Sequence, residues 1–162
     1  MLSRSLAEND AQAIAHFVSA CEDGKHFYVH ALKEVKLKDL RDLFLDLAAV
    51  RDEIEKALEP EYEARVGKPL RRHRSFEGRI NEWFAEARES LQDPGRENYF
   101  LVKELEEAED RTLIEMQRAI NDVLDPKLKN RMNDFLTLMH KSHQQMLTYK
   151  RGMEGDARPS FS

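Results

Sequence analysis

Two stretches of this sequence share one layout, in which an acidic patch early in a helix is followed by a short turn and a second helix. The first patch is Cys21-Glu22-Asp23-Gly24 and the second is Glu106-Glu107-Ala108-Glu109-Asp110. A long connection separates the two halves. Two helical hairpins joined by a crossover are the plan of four-helix bundles that bind metals through carboxylates. The layout therefore predicts an all-α, antiparallel four-helix bundle.

Apolar residues spaced three and four apart predict the extent of the four helices. Because proline lacks an amide donor and clashes with the preceding turn, Pro60 is expected to end or kink the second helix. Asp125 and Pro126 together are a strong start signal for the fourth helix. The expected bounds are residues 9 or 10 to 35, the turn at 36–38 to Pro60, 97 to 124, and 126 to about 150.

The connection between the hairpins is long enough to contain a short fifth helix. Ser75 is a suitable N-cap, and the apolar residues that follow it predict a helix to about Leu91, with Trp83 packed on the flank of the bundle. Residues 1–150 are expected to form one domain, since a chain of this length buries roughly 70% of its unfolded surface. The polar tail, residues 151–162, is expected to fray.

Composition excludes several classes of function. A net charge of −5 argues against nucleic-acid binding, and the basic run at residues 71–74 is interpreted as a solvated loop. No run of 18 apolar residues occurs, and the start of the chain turns polar too early for a signal peptide, so we expect a cytoplasmic protein without a membrane span. The single cysteine, Cys21, allows no internal disulfide and is expected to be buried. Enzymes that depend on a phosphate-binding glycine loop or a Ser-His-Asp triad are disfavoured.

Five residues are candidate metal ligands. His140 and His143 are three residues apart, so both imidazoles lie on one helical face. Carboxylate-bridged bundles bind iron or manganese with one glutamate from each of two helices and a Glu-x-x-His pair from each of the other two. Glu22 could supply the carboxylate of the first hairpin, and Glu106 or Glu109 that of the third helix. Each of these residues could instead be a solvated charge or a histidine that bonds across the bundle.

The second helix does not complete such a site. Its two possible registers read Arg51-x-x-Ile54 and Asp52-x-x-Glu55, and neither supplies a histidine. A carboxylate drawn into the core must be paired, protonated or metal-bound. Arg51 lies one turn from core positions and could supply the cation. We therefore favour a buried ion-pair network around Arg51 over a complete dinuclear metal centre.

A series of short motifs extends through residues 14–149. They are Cys21-Glu22-Asp23-Gly24 with Tyr28 and Ala31; Leu40-Arg41 with Phe44, Ala48, Arg51 and Leu58; Gly67-x-Pro69; Ser75-x-x-Gly78 and Trp83; Glu106-x-x-Glu109-Asp110; and His143. In order and spacing the chain resembles a bacterial family of uncharacterised ferritin-like four-helix-bundle proteins. The resemblance implies a ferritin-like fold and no established activity. Val50 and His26 stand where acidic residues are common in that family, which removes two possible ligands.

Three hypotheses for function follow. The favoured one is a non-catalytic binding or stress-associated structural protein, with no cofactor expected. The second is an iron- or manganese-binding bundle or oxidoreductase that uses Glu22, Glu106 or Glu109, His140 and His143. The third is a homo-oligomeric interaction module, because the outer faces of long amphipathic helices can also pair. The sequence names no ligand, and it does not fix which glutamate of the third helix faces the core.

Overall fold

The computed structural model describes residues 5–71 and 94–157, including the side chains of residues 5–71 and 98–154. This part of the chain is all-α and consists of four packed helices without a strand, as predicted. Within it, no helix combines the length and the apolar character needed to cross a bilayer. The predicted fifth helix, from Ser75 to Leu91 with Trp83, lies outside the described residues. The helices are α1 (Leu6–Glu34), α2 (Lys38–Val66), α3 (Pro94–Asn121) and α4 (Pro126–Ala157).

The four helices form a closed ring in which α1 and α4 each contact both α2 and α3. The start of α1 and the α3–α4 turn lie at the same end of the bundle, because Asn9 Nδ2 donates to the carbonyl oxygen of Asp122 at 2.9 Å. The end of α2 lies there too, since Arg65 Nη2 is 3.2 Å from Asp125 Oδ2. Tyr99 near the start of α3 donates to Glu154 near the end of α4 at 2.9 Å, which marks the opposite end. Both α2 and α3 therefore run in the same direction, and the end of α2 and the start of α3 lie at opposite ends of the bundle, roughly 40 Å apart for helices of this size.

The first helix begins earlier than the sequence predicted. Its N-cap is Ser5, whose Oγ accepts a hydrogen bond from the amide of Glu8 at 3.1 Å. Ser5-Leu6-Ala7-Glu8 fits the Ser-x-x-Glu pattern that typically starts a helix. The expectation that α1 starts at Asn9 or Asp10, with one of them as its cap, is wrong, because both residues already lie within the helix and bind the α3–α4 turn instead.

Asp10 fastens the start of α1 to the α3–α4 turn. The side chain is buried, and its two oxygens accept hydrogen bonds from the amides of Leu124 at 2.8 Å and Asp125 at 3.1 Å. We expect Asp10→Asn to lower the free energy of unfolding by about 1 kcal/mol, since the amide keeps one acceptor and loses the charge. Urea denaturation followed by circular dichroism would measure this. Equal stability of the variant and the wild type would contradict the assignment.

Pro60 was expected to end or kink the second helix, and of these two outcomes the end is wrong, because α2 continues to Val66. Pro60 is exposed, so the carbonyl that loses its amide partner can be hydrated. The helix instead ends at Gly67, which adopts the left-handed conformation with φ of 75°. The amide of Gly67 donates to the carbonyl of Glu63 at 2.8 Å, which satisfies one of the last free carbonyls of the helix.

The second hairpin begins three residues before its predicted start and ends beyond its predicted end. Its first helix starts at Pro94 rather than residue 97 and stops at Asn121 rather than 124. As predicted, Asp125 caps α4, and its Oδ1 accepts from the amide of Lys127 at 3.0 Å. The fourth helix passes its expected end at Lys150 and reaches Ala157. Met153 packs against the core and Glu154 binds Tyr99, so the added turns make tertiary contacts.

Two apolar clusters fill the bundle, one above the other. The first cluster extends along the helices to Cys21 in α1, Ile54 in α2, Leu113 in α3 and Met139 in α4. The second cluster resumes at Tyr28, Ala48, Leu105 and Met146 of the same four helices. Each helix therefore has a short interval between its two apolar stripes at the same height. The polar side chains of these intervals meet at the centre of the bundle.

Candidate functional site

A polar layer separates the two apolar clusters. Every helix contributes to it, and the contacts between helices at this height are mostly between charged side chains. Buried charges are costly unless they are paired or bind a ligand. The layer is therefore the candidate functional site. Its members are Glu22, Lys25 and His26 of α1, Arg51, Asp52 and Glu55 of α2, Glu106, Glu109 and Asp110 of α3, and Ser142 and His143 of α4.

Arg51 occupies the middle of the polar layer. Its side chain is fully buried, and its Nη2 forms an ion pair with a carboxylate oxygen of Glu109 on α3. Nη1 donates to the carbonyl of Leu47 at 2.7 Å, and Cζ lies 4.7 Å from the centre of the Tyr28 ring. Burial lowers the pKa of Arg51, while the neighbouring Tyr28 and Cys21 oppose that shift. Arginine nevertheless stays protonated in proteins, so a permanent positive charge lies in the core.

A second ion pair joins α1 to α2 beside the first. Glu55 is fully buried, and its Oε2 is 2.5 Å from Lys25 Nζ, which also lies 3.4 Å from Asp52 Oδ1. Burial acts to lower the pKa of Lys25, but the hydrogen bonds and charges of Glu55 and Asp52 outweigh it and raise the pKa. Lysine is therefore charged here as well. The centre of the layer thus contains two cations, Arg51 and Lys25, matched by the buried carboxylates of Glu55 and Glu109.

The central ion pair is not fully satisfied by hydrogen bonds. Within the described part of the chain, Arg51 Nε, Glu109 Oε2 and the Tyr28 hydroxyl are buried without a hydrogen-bond partner. Burial raises the pKa of Tyr28, and the charge of Arg51 opposes this only in part, so the hydroxyl keeps its proton. Orphaned polar groups reduce the net stability that a buried pair can provide. The ion pair therefore contributes more to the specificity of helix packing than to the stability of the fold.

Gly24 makes room for Arg51. A Cβ atom at this position would lie 2.6 Å from Arg51 Nε, closer than real Cβ contacts, and 3.1 Å from Cδ. The glycine inside the apolar stripe of α1 thus marks a close approach, here by a side chain of α2. Cys21, one turn earlier, is fully buried, and burial raises the pKa of its thiol to about 12. It remains a protonated, unreactive thiol at neutral pH.

A separate group of polar residues joins α3 to α4 on the other side of the layer. His143 Nε2 lies 3.1 Å from Asp110 Oδ1 and 3.5 Å from Glu106 Oε1. Lys150 Nζ is 3.5 Å from the other oxygen of Glu106. Among the described residues, Glu106, Asp110 and His143 are the single trio whose possible ligand atoms all lie within 4.8 Å of one another. Such a group could hold a metal ion.

The five residues predicted as metal ligands do not meet at one place. Glu106 and His143 lie together, while Glu109 faces Arg51. Glu22 is on the opposite side, with its Oε1 3.5 Å from His26 Nε2. His140 is exposed to solvent and lies outside the trio. The open question of the α3 register is answered by burial, since Glu106 and Glu109 are buried and the adjacent Glu107 is exposed.

Sequence reasoning did not assign Asp110 and Lys150 to a site. Their spacing in the sequence could have indicated their positions, because residues four and seven apart share a helical face. Asp110 is four residues after Glu106, and Lys150 is seven residues after His143. A search for polar residues at these intervals, rather than for the Glu-x-x-His pair alone, would have found them.

The residues of the layer do not fit a carboxylate-bridged dinuclear centre. Such a centre needs a glutamate and a histidine on the second helix, and α2 presents Arg51, Asp52 and Glu55 at this height. The guanidinium of Arg51 also pairs with the carboxylate of Glu109, which the third helix would need to supply as a metal ligand. What remains is a group of three possible ligands on one side of the layer.

Comparison with known proteins assigns no activity. The model of a family described as a domain of unknown function, DUF2383, matches residues 10–122, which is more than half of the chain. The matched span covers almost all of α1 together with α2 and α3, and it ends at the turn before α4. No curated protein and no solved structure matches the chain.

Proposed function

The chain belongs to the DUF2383 family, and we propose that it is a ferritin-like bundle that acts by binding and not by catalysis. Two antiparallel hairpins, with α2 and α3 running in the same direction, support the ferritin-like topology. In bundles of this topology, the space between the four helices is where cofactors and metals are held. The side chains in that space therefore decide between a bundle that acts by binding and an iron- or manganese-dependent oxidoreductase.

The observation that carries the proposal is the burial of Arg51 at the centre of the layer. Its side chain is fully buried and paired with Glu109. A divalent ion about 4 Å from a guanidinium would be repelled by about 8 kcal/mol at an effective dielectric constant near 20, twice the value for two single charges. A dinuclear pair would meet still greater repulsion. The ion pair occupies the position that the metals would take, so the centre of the bundle has no room for a dinuclear site.

The outer surface of α1 supports a binding role. Two grooves of about 310 and 190 Å³ flank this helix, and His16 and Ser19 line both of them. Asp23 and Arg118 line the first groove, so it offers charges of both signs to a partner. The buried thiol of Cys21 cannot serve as a nucleophile there.

Oxygen chemistry provides the test. The full chain, loaded with Fe²⁺ without oxygen and then mixed with oxygenated buffer, is expected to consume oxygen no faster than buffer containing the same iron. It should also bind fewer than two irons per chain after gel filtration. An iron-oxidising ferritin assayed in parallel is the positive control. Two irons per chain with rapid oxygen consumption would overturn the proposal, because both require a dinuclear centre.

A further inference from the structure

We propose that Glu106, Asp110 and His143 bind one divalent transition-metal ion on the α3–α4 side of the polar layer. The site is built from two helices of one hairpin. Glu106 and Asp110 are one turn apart on α3, and His143 faces them from α4. This assignment adds a ligand to the binding role proposed above and does not depend on it, since the ion pairs of the three side chains are with one another and with Lys150, whereas Arg51 pairs with Glu109.

The strongest sign of a ligand is the environment of His143. The residue is only 8% exposed, and its Nε2 is directed at two carboxylates. Despite a separation of 3.1 Å from Asp110 Oδ1, this nitrogen makes no aligned hydrogen bond. A buried ring nitrogen without a hydrogen bond is costly. A cation placed between the nitrogen and the two carboxylate oxygens would satisfy all three groups at once.

The donor set indicates the class of metal. One imidazole and two carboxylates suit Mn²⁺, Fe²⁺ or Zn²⁺, whereas Mg²⁺ and Ca²⁺ prefer oxygen ligands alone. The side chain of Asp110 is 53% exposed, so water can reach the site and complete the coordination. Glu106 and His143 are themselves buried, which limits how far these two ligands can move.

When no metal is bound, the ammonium of Lys150 balances part of the negative charge of the site. Its Nζ lies 3.5 Å from Glu106 Oε2, and its side chain is 20% exposed. Lysine carries its charge on a long flexible chain that reaches water easily. Metal binding requires the ammonium to give up this contact, so Lys150 is a competitor for Glu106. Its removal should strengthen binding.

Mn²⁺ titration of the full chain tests the proposal, with free Mn²⁺ measured by electron paramagnetic resonance. We expect one saturable Mn²⁺ per chain. Asp110→Asn should weaken binding by at least about tenfold, since a neutral amide replaces a carboxylate ligand. Because Asp110 is half exposed, this variant is expected to fold. Glu107→Gln is the matched control, as it removes the same charge from an exposed neighbour on α3 and should leave the affinity unchanged.

Two further variants separate a metal site from general charge attraction. His143→Gln should weaken binding by at least about tenfold, and Lys150→Met should tighten it by a few-fold. The absence of saturable binding would overturn the proposal. Equal weakening by Asp110→Asn and Glu107→Gln would also overturn it, because it would show attraction to acidic surface alone. Neither result affects the oxygen test of the central ion pair, which depends on a second metal ion.

Discussion

Replacement of Arg51 by methionine is expected to lower the free energy of unfolding by about 3–5 kcal/mol. The change leaves the carboxylate of Glu109 in the core without its cation, and an uncompensated buried charge is one of the costliest defects in a protein. Methionine fills much of the volume of arginine, so the loss reports charge more than packing. Urea denaturation followed by circular dichroism at neutral pH would measure the effect.

A double variant distinguishes the net contribution of the ion pair to stability from the cost of removing only one of its partners. Arg51→Met combined with Glu109→Leu removes both charges, and we expect it to recover most of the lost stability. The matched control is Arg111→Met, which removes an exposed positive charge from α3 and should change stability by no more than about 0.5 kcal/mol. A loss in Arg51→Met as small as that of the control would contradict a buried ion pair at this position.

The helices could be predicted because their apolar stripes are local patterns. Ile14, Val18, Cys21 and Tyr28 follow the spacing of one helical face, and all four are buried. The start of α4 at Pro126 also depends on adjacent residues only, and it was correct. The end of α2 was missed because tertiary packing on both sides of Pro60, by Leu58 and Tyr62, can offset the cost of a proline inside a helix.

The inward glutamates could not be identified from the sequence because several acidic residues compete for one helical face. Glu106, Glu107 and Glu109 fall within an arc of about 160° around the helix axis, and a rotation of the helix by part of a turn changes which of them is buried. The same uncertainty applies to His140 and His143, of which the structure buries only the second. Register is decided by how whole helices pack, and no single residue reveals it.

The pairing between helices was the least predictable feature. Sequence reasoning identified Arg51 as a cation that could enter the core, but it could not choose a partner. The partner, Glu109, is on α3 in the other hairpin, so the contact depends on the assembled bundle. The requirement for glycine at position 24 could not be predicted either, since the atom that requires it belongs to α2. Both gaps have one cause, which is that polar layers are specified by contacts distant in sequence.

Gly24→Ala is expected to destabilise the protein by about 2 kcal/mol, although the same change stabilises most helices. Helix propensity alone favours alanine over glycine by about 1 kcal/mol. Against this, the new Cβ would lie 2.6 Å from Arg51 Nε. The guanidinium is held by Glu109 and by the carbonyl of Leu47, so it cannot move away freely. Overpacking of such a site costs up to about 3 kcal/mol, which outweighs the gain in propensity.

The contribution of Arg51 to this cost can be measured with a background variant and a second glycine. Gly152 lies in α4 with no atom within 4 Å of a Cβ added there, so Gly152→Ala should be neutral or stabilise the protein by up to about 1 kcal/mol. In an Arg51→Ala background the obstruction is absent, and Gly24→Ala should then stabilise the protein as Gly152→Ala does. This reversal of sign is the decisive result, because backbone entropy is the same in both backgrounds. If Gly24→Ala has the same effect with and without Arg51, the glycine serves the helix itself and not the guanidinium that passes beside it.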